Sequence, residues 1–127
     1  MKSGLMAVAL AGMLGSGAAM AADARFDGNE LLVQCQHFVT LVDGGTARTD
    51  VHFDAGVCGG FVQGVANTVY FYSDELKKDQ KFCIPGTASA SQLVRVVVKY
   101  LKDNPKDLNV ARMTLVWRSF MDAYPCK

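Results

Sequence analysis

The chain has 127 residues, of which 50% are hydrophobic, and 13 Lys and Arg against 12 Asp and Glu. This length suits one domain, and two are not expected. A formal charge of +1 excludes the strongly basic surface of a nucleic-acid-binding protein and a polybasic membrane patch.

Residues 1–21 have the composition of a secretory signal peptide. Lys2 gives a short basic start, residues 4–18 are small and apolar, and Ala19-Met20-Ala21 is an A-x-A cleavage site. Cleavage after Ala21 leaves residues 22–127, in which acidic and basic side chains are equal in number. The alternative is a membrane anchor, but the apolar run is at the short end for a spanning helix. We therefore expect an exported protein with one mature domain.

Four cysteines lie in the mature part, namely Cys35, Cys58, Cys83 and Cys126. An even number of cysteines in an oxidising compartment predicts two disulfides. A metal site built from these cysteines, alone or with histidines, is the alternative. It is disfavoured because no C-x-x-C occurs and the cysteine spacing is not that of a zinc finger. We expect neither a metal nor a cofactor.

The mature domain is predicted to be all-α, with four helices that form two antiparallel hairpins. Apolar periodicity places the first three at about 30–42, 53–72 and 90–102. The fourth begins at 105 or near 109 and ends near 123. Residues 27–29 offer a cap for the first helix, Asp50 for the second, and Ser89 with Gln92 a capping box for the third. Residues 44–52 are predicted to be a polar loop, and 73–81 a charged loop or helix end.

Each helix shows an apolar face at helical spacing, which predicts the core. The faces comprise Leu31, Cys35, Phe38, Val39 and Val42; Phe53, Val57, Phe61, Val65, Val69 and Tyr72; Leu93, Val94, Val97, Val98, Tyr100 and Leu101; and Met113, Val116, Trp117, Phe120 and Tyr124. Trp117 could also anchor a partner at the surface, but its spacing favours the core.

This layout indicates how the cysteines pair. Helices joined by a short connection pack antiparallel, so the start of the third helix lies beside the end of the fourth. Cys83 precedes the third helix and Cys126 follows the fourth, so these two are expected to meet. The remaining pair is Cys35–Cys58, and this connectivity is one of three that four cysteines allow.

The second helix carries Gly56, Gly60 and Gly64 at intervals of four residues. Each glycine costs a helix about 1 kcal/mol relative to alanine, so another interaction must offset the cost. Close packing of a neighbouring helix over the glycines is one explanation, and a subunit interface on the same face is the other.

The sequence shows no catalytic constellation, and we do not expect an enzyme. The two histidines, His37 and His52, stand alone, and a Cys–His nucleophile would need a free thiol. No G-x-S-x-G, H-E-x-x-H, phosphate loop or dinucleotide fingerprint occurs.

The order of short motifs resembles the Rap/Tai immunity proteins associated with type VI secretion amidase effectors. The segment 58–64 is similar to that family's C-x-G-[YF]-x-x-G. Residues 26–29 and 31–35 resemble the start of the family sequence, and residues 82–85 resemble its F-C-[IL]-P motif. Residues 92–101 with 104–105 resemble its Q-L-V…Y-L…N-P pattern, and residues 124–126 resemble its [FY]-P-C ending. The match covers about 26–126. The chain departs from the family pattern at three places. Asn67 occupies a position where the family pattern predicts an acidic residue, and Trp117 occupies a position where a smaller residue is common. The segment 44–52 has no counterpart in the family pattern.

The resemblance implies a small, helical, disulfide-stabilised periplasmic protein that often forms a homodimer. Its partner would be a cell-wall amidase with a Cys–His active site, which it would block by occluding the cleft. Because loops carry most binding function, the candidate contact residues are Arg48, Asp50 and His52 in one region and Asp74, Glu75 and Asp79 in the other.

Two other functions stay open at this point. One is a small periplasmic stress chaperone that exposes apolar surface in acid. The other is an envelope-assembly protein without an effector partner.

Overall fold

The computed structural model describes residues 26–46 and 48–127, so the predicted signal peptide and its cleavage site lie outside the described residues. Four α-helices run in chain order: α1 (Gly28–Val42), α2 (Thr49–Phe71), α3 (Ala90–Asp103) and α4 (Arg112–Ala123). Two 3-10 turns, Lys78–Gln80 and Pro105–Asp107, lie in the connections. The described part has no strand, only two isolated bridges. The all-α prediction is confirmed.

The N-terminal caps of the helices show which predicted helix starts the structure confirms. Asp27 caps α1, because its Oδ1 accepts hydrogen bonds from the backbone N–H groups of Asn29 and Glu30. Ser89 caps α3 by accepting from the Gln92 N–H. The prediction that Asp50 caps α2 is wrong: α2 begins at Thr49, so Asp50 lies in its first turn. Residues 49–52 are therefore helix and not loop, since an acid in the first turn favours the helix dipole.

Both predicted starts of the fourth helix are also wrong, because α4 begins only at Arg112. The segment before it is held by the start of α1. The backbone N–H of Gly28 donates to the carbonyl of Val110, and the Asn29 side chain donates to the carbonyl of Leu108. These long-range bonds engage carbonyls that an earlier start of α4 would need, and local sequence does not encode them.

The core lies between all four helices, with α1 packed on α2 and α3, and α3 on α4. Its fully buried members include Leu31, Val62, Val97 and Phe120. The predicted α3 face is confirmed apart from Tyr100, which is half-buried. The α4 prediction missed Leu115, which is wholly buried.

The predicted core face of α2 is partly wrong. Phe53 and Tyr72 are exposed, and Val57 and Phe61 are only partly buried. The side that faces the core is instead Ala55, Cys58, Gly59, Val62, Val65, Ala66 and Val69. Apolar residues surround α2 on all sides, so periodicity alone does not locate the buried side, whereas the disulfide at Cys58 does. In α1, the predicted core residue Val42 is likewise exposed.

Two disulfides hold the fold, and both predicted pairings are confirmed. Cys35–Cys58 joins α1 to α2, and Cys83–Cys126 joins the segment before α3 to the segment after α4. The first bridge is wholly buried, while Cys83 is exposed. Each helical hairpin is therefore tied covalently, which matters for a domain of this size.

Candidate partner-binding surfaces

The two regions proposed from the sequence as partner contacts lie at opposite ends of α2. Arg48, Asp50 and His52 surround its start, and residues 74–79 follow its end. The helix has 23 residues, so at 1.5 Å per residue the two regions are about 35 Å apart. Within one chain, the structure does not bring them together.

The start of α2 carries an exposed ion pair. Arg48 Nε and Nη2 donate to the two carboxylate oxygens of Asp50 at 3.2 and 2.7 Å. These hydrogen bonds lower the pKa of Asp50, and the same carboxylate raises the pKa of Arg48. Both side chains are open to solvent, so the pair adds little to stability and is available to a partner. His52 is exposed beside it.

The end of α2 leads into a charged segment that is anchored at both of its ends. Lys81 Nζ donates to the carbonyl of Ser73 at 2.8 Å, and the Trp117 indole N–H donates to the carbonyl of Gln80 at 3.1 Å. Asp74, Glu75 and Asp79 are exposed, and no ion pair to them occurs within 26–46 and 48–127. The segment thus presents unpaired carboxylates from a fixed backbone.

The glycine face of α2 is open. A Cβ placed at Gly56, Gly60 or Gly64 would meet no atom of residues 26–46 and 48–127 within 4 Å, and all three glycines are exposed. No helix in the described part of the chain packs over these three glycines, so the predicted explanation by close packing is wrong for that part. The glycine that α1 packs against is Gly59, where a Cβ would lie 2.9 Å from the Phe38 ring. Its position next to Cys58 was the signal that could have identified it.

A shallow groove runs along this open face, between α2 and the start of α4. Gly60 and Gly64 line its floor, and Arg112 and Met113 line one wall. The Arg112 guanidinium is stacked between two rings, 4.7 Å from the centre of Phe26 and 4.4 Å from that of Phe61. Stacking of this kind holds the planar cation in place, with its charge at the rim of the groove.

Two large exposed side chains extend the same face, and one of them, Phe53, is a predicted core residue. Phe53 is 71% exposed near the start of α2, and Phe71 is 86% exposed at its end. Single exposed apolar residues are common, so Phe53 and Phe71 are informative only together with the open groove on the same face.

One polar pair joins α1 to α2. His37 Nδ1 lies 2.9 Å from Asp54 Oδ2, a pair that the sequence pattern does not predict. In the described part of the chain every cysteine is in a disulfide, so no free thiol accompanies this pair. Within residues 26–46 and 48–127, no three His, Cys, Asp or Glu side chains are grouped so that they could hold a metal ion.

None of the helices between 26 and 127 that the structure describes is long and apolar enough to cross a membrane.

Comparison with known families gives one match. A family model described as Rap1a immunity proteins matches residues 27–126. No curated protein and no solved structure gives a match. The matched range spans all four helices and includes both disulfides.

Proposed function

Because the chain belongs to the Rap1a immunity protein family, we propose that it protects its producer by binding a peptidoglycan amidase delivered by type VI secretion and occluding its active-site cleft. The observation that carries this proposal is the family match over 27–126. The motif order resembles the same family. Proteins of such a family act by binding, so the chain itself performs no chemistry.

The proposal places the protein in the periplasm. The sequence of 1–21 is typical of a signal peptide, and the two disulfides form where the environment is oxidising. A cell-wall amidase acts in the same compartment, so inhibitor and effector would meet there.

The fold suits an inhibitor that must dock without rearranging. Two disulfides and a wholly buried core restrict the helices, and a pre-organised surface loses little entropy on binding. The candidate contacts are Arg48, Asp50 and His52 at one end of α2, and Asp74, Glu75 and Asp79 beyond the other. The second region has the stronger support, because its carboxylates are exposed and unpaired in the described structure while its backbone is anchored.

The test uses the mature chain and the product of an adjacent small amidase gene. We expect a stoichiometric complex by calorimetry and inhibition of peptidoglycan hydrolysis. Charge reversal of Asp74 and Glu75 to Lys should weaken binding, whereas the exposed Lys102→Glu on α3 serves as the matched control and should not. Loss of the gene should leave cells sensitive to neighbours that deliver the effector. A protein that neither binds nor inhibits any such amidase, and whose deletion leaves resistance intact, would refute the proposal.

A further inference from the structure

A second groove lies where α2 meets the segment before α3. It consists of two hollows that share Tyr70 and Ile84 among their lining residues, and we call it the Tyr70 groove. The first hollow, of about 180 Å³, lies between α2 and residues 84–90. The second, of about 220 Å³, lies between the end of α2 and residues 81–84. Tyr70 is 66% exposed, so its ring stands in solvent at the point where the two hollows meet.

The α2 wall of the groove carries unused hydrogen-bonding groups. Gln63, Asn67 and Tyr70 follow one another at intervals of four and three residues, which places them on one side of the helix. All three are exposed. In the described part of the chain their side chains make no hydrogen bond, and the bonds nearby are made by Ser73 and Lys81 instead. Two carboxamides and a phenol are therefore free to bind a ligand.

The opposite wall is held in place at both of its ends. Cys83, which precedes it, is joined to Cys126 by the disulfide and donates its backbone N–H to the carbonyl of Tyr124 at 2.8 Å. At the other end Ser89 caps α3. The groove is thus formed before a ligand arrives, and a pre-organised surface loses little entropy on binding.

The groove is nearly uncharged. Among the described residues, no charged side chain lines the first hollow, and the one that lines the second, Lys81, donates to the carbonyl of Ser73. Asn67 contributes to this neutrality, because it occupies a position where the family pattern predicts an acidic residue. Such a lining favours an uncharged polar ligand over a phosphate or a carboxylate.

We propose that the Tyr70 groove binds an extended segment of the effector's main chain, with the Gln63 and Asn67 carboxamides hydrogen-bonded to its backbone. A carboxamide has both a donor and an acceptor, as the peptide group has, so each one can pair with a backbone N–H and C=O. This step rests on the proposed function and adds to it an uncharged docking contact and the conformation of the bound segment.

The spacing of the two carboxamides matches an extended chain. Four residues of helix advance about 6 Å along the axis, and two residues of a strand advance about 6.6–6.8 Å. Gln63 and Asn67 therefore reach alternate residues of a strand that lies along α2. The edge strand of a sheet, or a loop in the same conformation, presents the unpaired backbone groups that such a contact needs.

The second hollow provides for a side chain of the bound segment. Its lining includes Val69 and Phe82, so it suits an apolar side chain, and the Tyr70 ring lies beside it. An exposed tyrosine next to a hollow is typical of a residue that contributes much of the energy of an interface. Ser73 and Lys81 line the same hollow, so the groove continues into the charged segment that carries Asp74 and Glu75.

The experiment compares variants of the mature chain for binding to the product of the adjacent amidase gene, by calorimetry. Gln63→Leu and Asn67→Leu should each raise the dissociation constant about tenfold, because the partner's backbone groups lose their bonds. Tyr70→Ala should raise it more. Gln36→Leu is the matched control, since Gln36 is an exposed carboxamide on α1, away from the groove. Leucine favours a helix at least as well as Gln or Asn, and circular dichroism checks that each variant folds.

Cross-linking tests whether the main chain is what the groove recognises. A photoreactive benzoylphenylalanine in place of Tyr70 should cross-link to one segment of the amidase, which mass spectrometry identifies. Proline within that segment removes a backbone N–H and should weaken binding, whereas alanine in place of its polar side chains should not.

The outcomes separate this inference from the proposed function. An amidase that binds the wild-type chain and both leucine variants equally well would overturn the inference and leave the proposed function intact. Failure of the wild-type chain to bind the amidase would refute both. Retention of the wild-type chain on purified peptidoglycan sacculi, lost in Asn67→Leu, would assign the groove to a saccharide and likewise overturn the inference.

Discussion

The Phe38 ring lies directly over Gly59, so that a Cβ at position 59 would be 2.9 Å from Phe38 Cε2. The next residue, Gly60, is turned about 100° around the helix axis, and no atom of the described residues lies within 4 Å of its Cβ position. Adjacent glycines in one helix therefore serve different purposes: the first allows α1 to pack on α2, and the second leaves an open face.

This contrast predicts opposite effects of the same substitution. Gly60→Ala should raise the free energy of unfolding of the monomer by about 1 kcal/mol, because alanine favours the helix and meets nothing. Gly59→Ala gains the same propensity but crowds the Phe38 ring, and overpacking costs about 1–3 kcal/mol. Urea denaturation at a concentration that keeps the chain monomeric measures both. Equal stabilities of the two variants would show that the ring moves aside freely.

The α1–α2 contact also shows what sequence could and could not predict. The α3 face was predicted well because only one side of that helix is apolar, and its opposite side carries Arg95 and Lys99. In α2 no charged side chain follows Asp54, so charge does not mark the wet side of most of the helix, and Phe53 was assigned to the core although it is exposed. The glycine spacing was visible in the sequence, but only the fold shows that the chain itself does not cover it.

The same limit applies to the start of α4. Periodicity and Pro105 suggested an earlier start, whereas α4 begins at Arg112. The deciding interaction is long-range, since the Asn29 side chain donates to the carbonyl of Leu108. The disulfide pairing, in contrast, was predictable, because antiparallel hairpins leave Cys83 and Cys126 at the same end.

The disulfide between Cys83 and Cys126 supports a test by substitution. Cys83→Ser and Cys126→Ser should each lower the free energy of unfolding by about 4 kcal/mol, the chain-entropy value for a loop of 43 residues. The double variant should add little, because all three variants lack the same bridge. Guanidinium denaturation of the three variants measures this. Additive losses would mean that each cysteine stabilises the fold separately.

The two disulfides should also differ in how readily they are reduced. Cys83 is exposed, whereas Cys35 and Cys58 have no exposed surface. A thiolate reductant must reach a sulfur atom, so mild reduction of the folded protein should open Cys83–Cys126 first. Alkylation followed by mass spectrometry identifies the freed thiols, and partial denaturation provides the control in which both bridges open. Prior opening of Cys35–Cys58 under native conditions would contradict the expected order.

The acidic residues at the helix starts give a matched pair. Asp27 caps α1 by accepting from the N–H groups of Asn29 and Glu30, so Asp27→Ala should cost about 0.5–2 kcal/mol. Asp50 lies within the first turn of α2, where it favours the helix dipole, and among the described residues it pairs with exposed Arg48, so Asp50→Ala should cost less than Asp27→Ala. Thermal denaturation compares the two. A loss at Asp50 as large as that at Asp27 would mean that the Asp50 carboxylate stabilises α2 as strongly as a cap stabilises α1.

The indole of Trp117 offers a test of how the charged segment after α2 is held. Its N–H donates to the carbonyl of Gln80 at 3.1 Å, and its ring packs edge-on against Phe82. Trp117→Phe keeps an aromatic ring but removes the donor, which should cost about 1 kcal/mol. Since the lost bond belongs to residues 73–81, amide hydrogen exchange there should rise about fivefold while the α3 core stays protected. Arg118→Met is the control, because Arg118 is exposed on the same helix and makes no hydrogen bond to the segment within the described structure. Unchanged exchange in Trp117→Phe would show that Lys81 and the disulfide at Cys83 suffice to fix the carboxylates that we propose for partner binding.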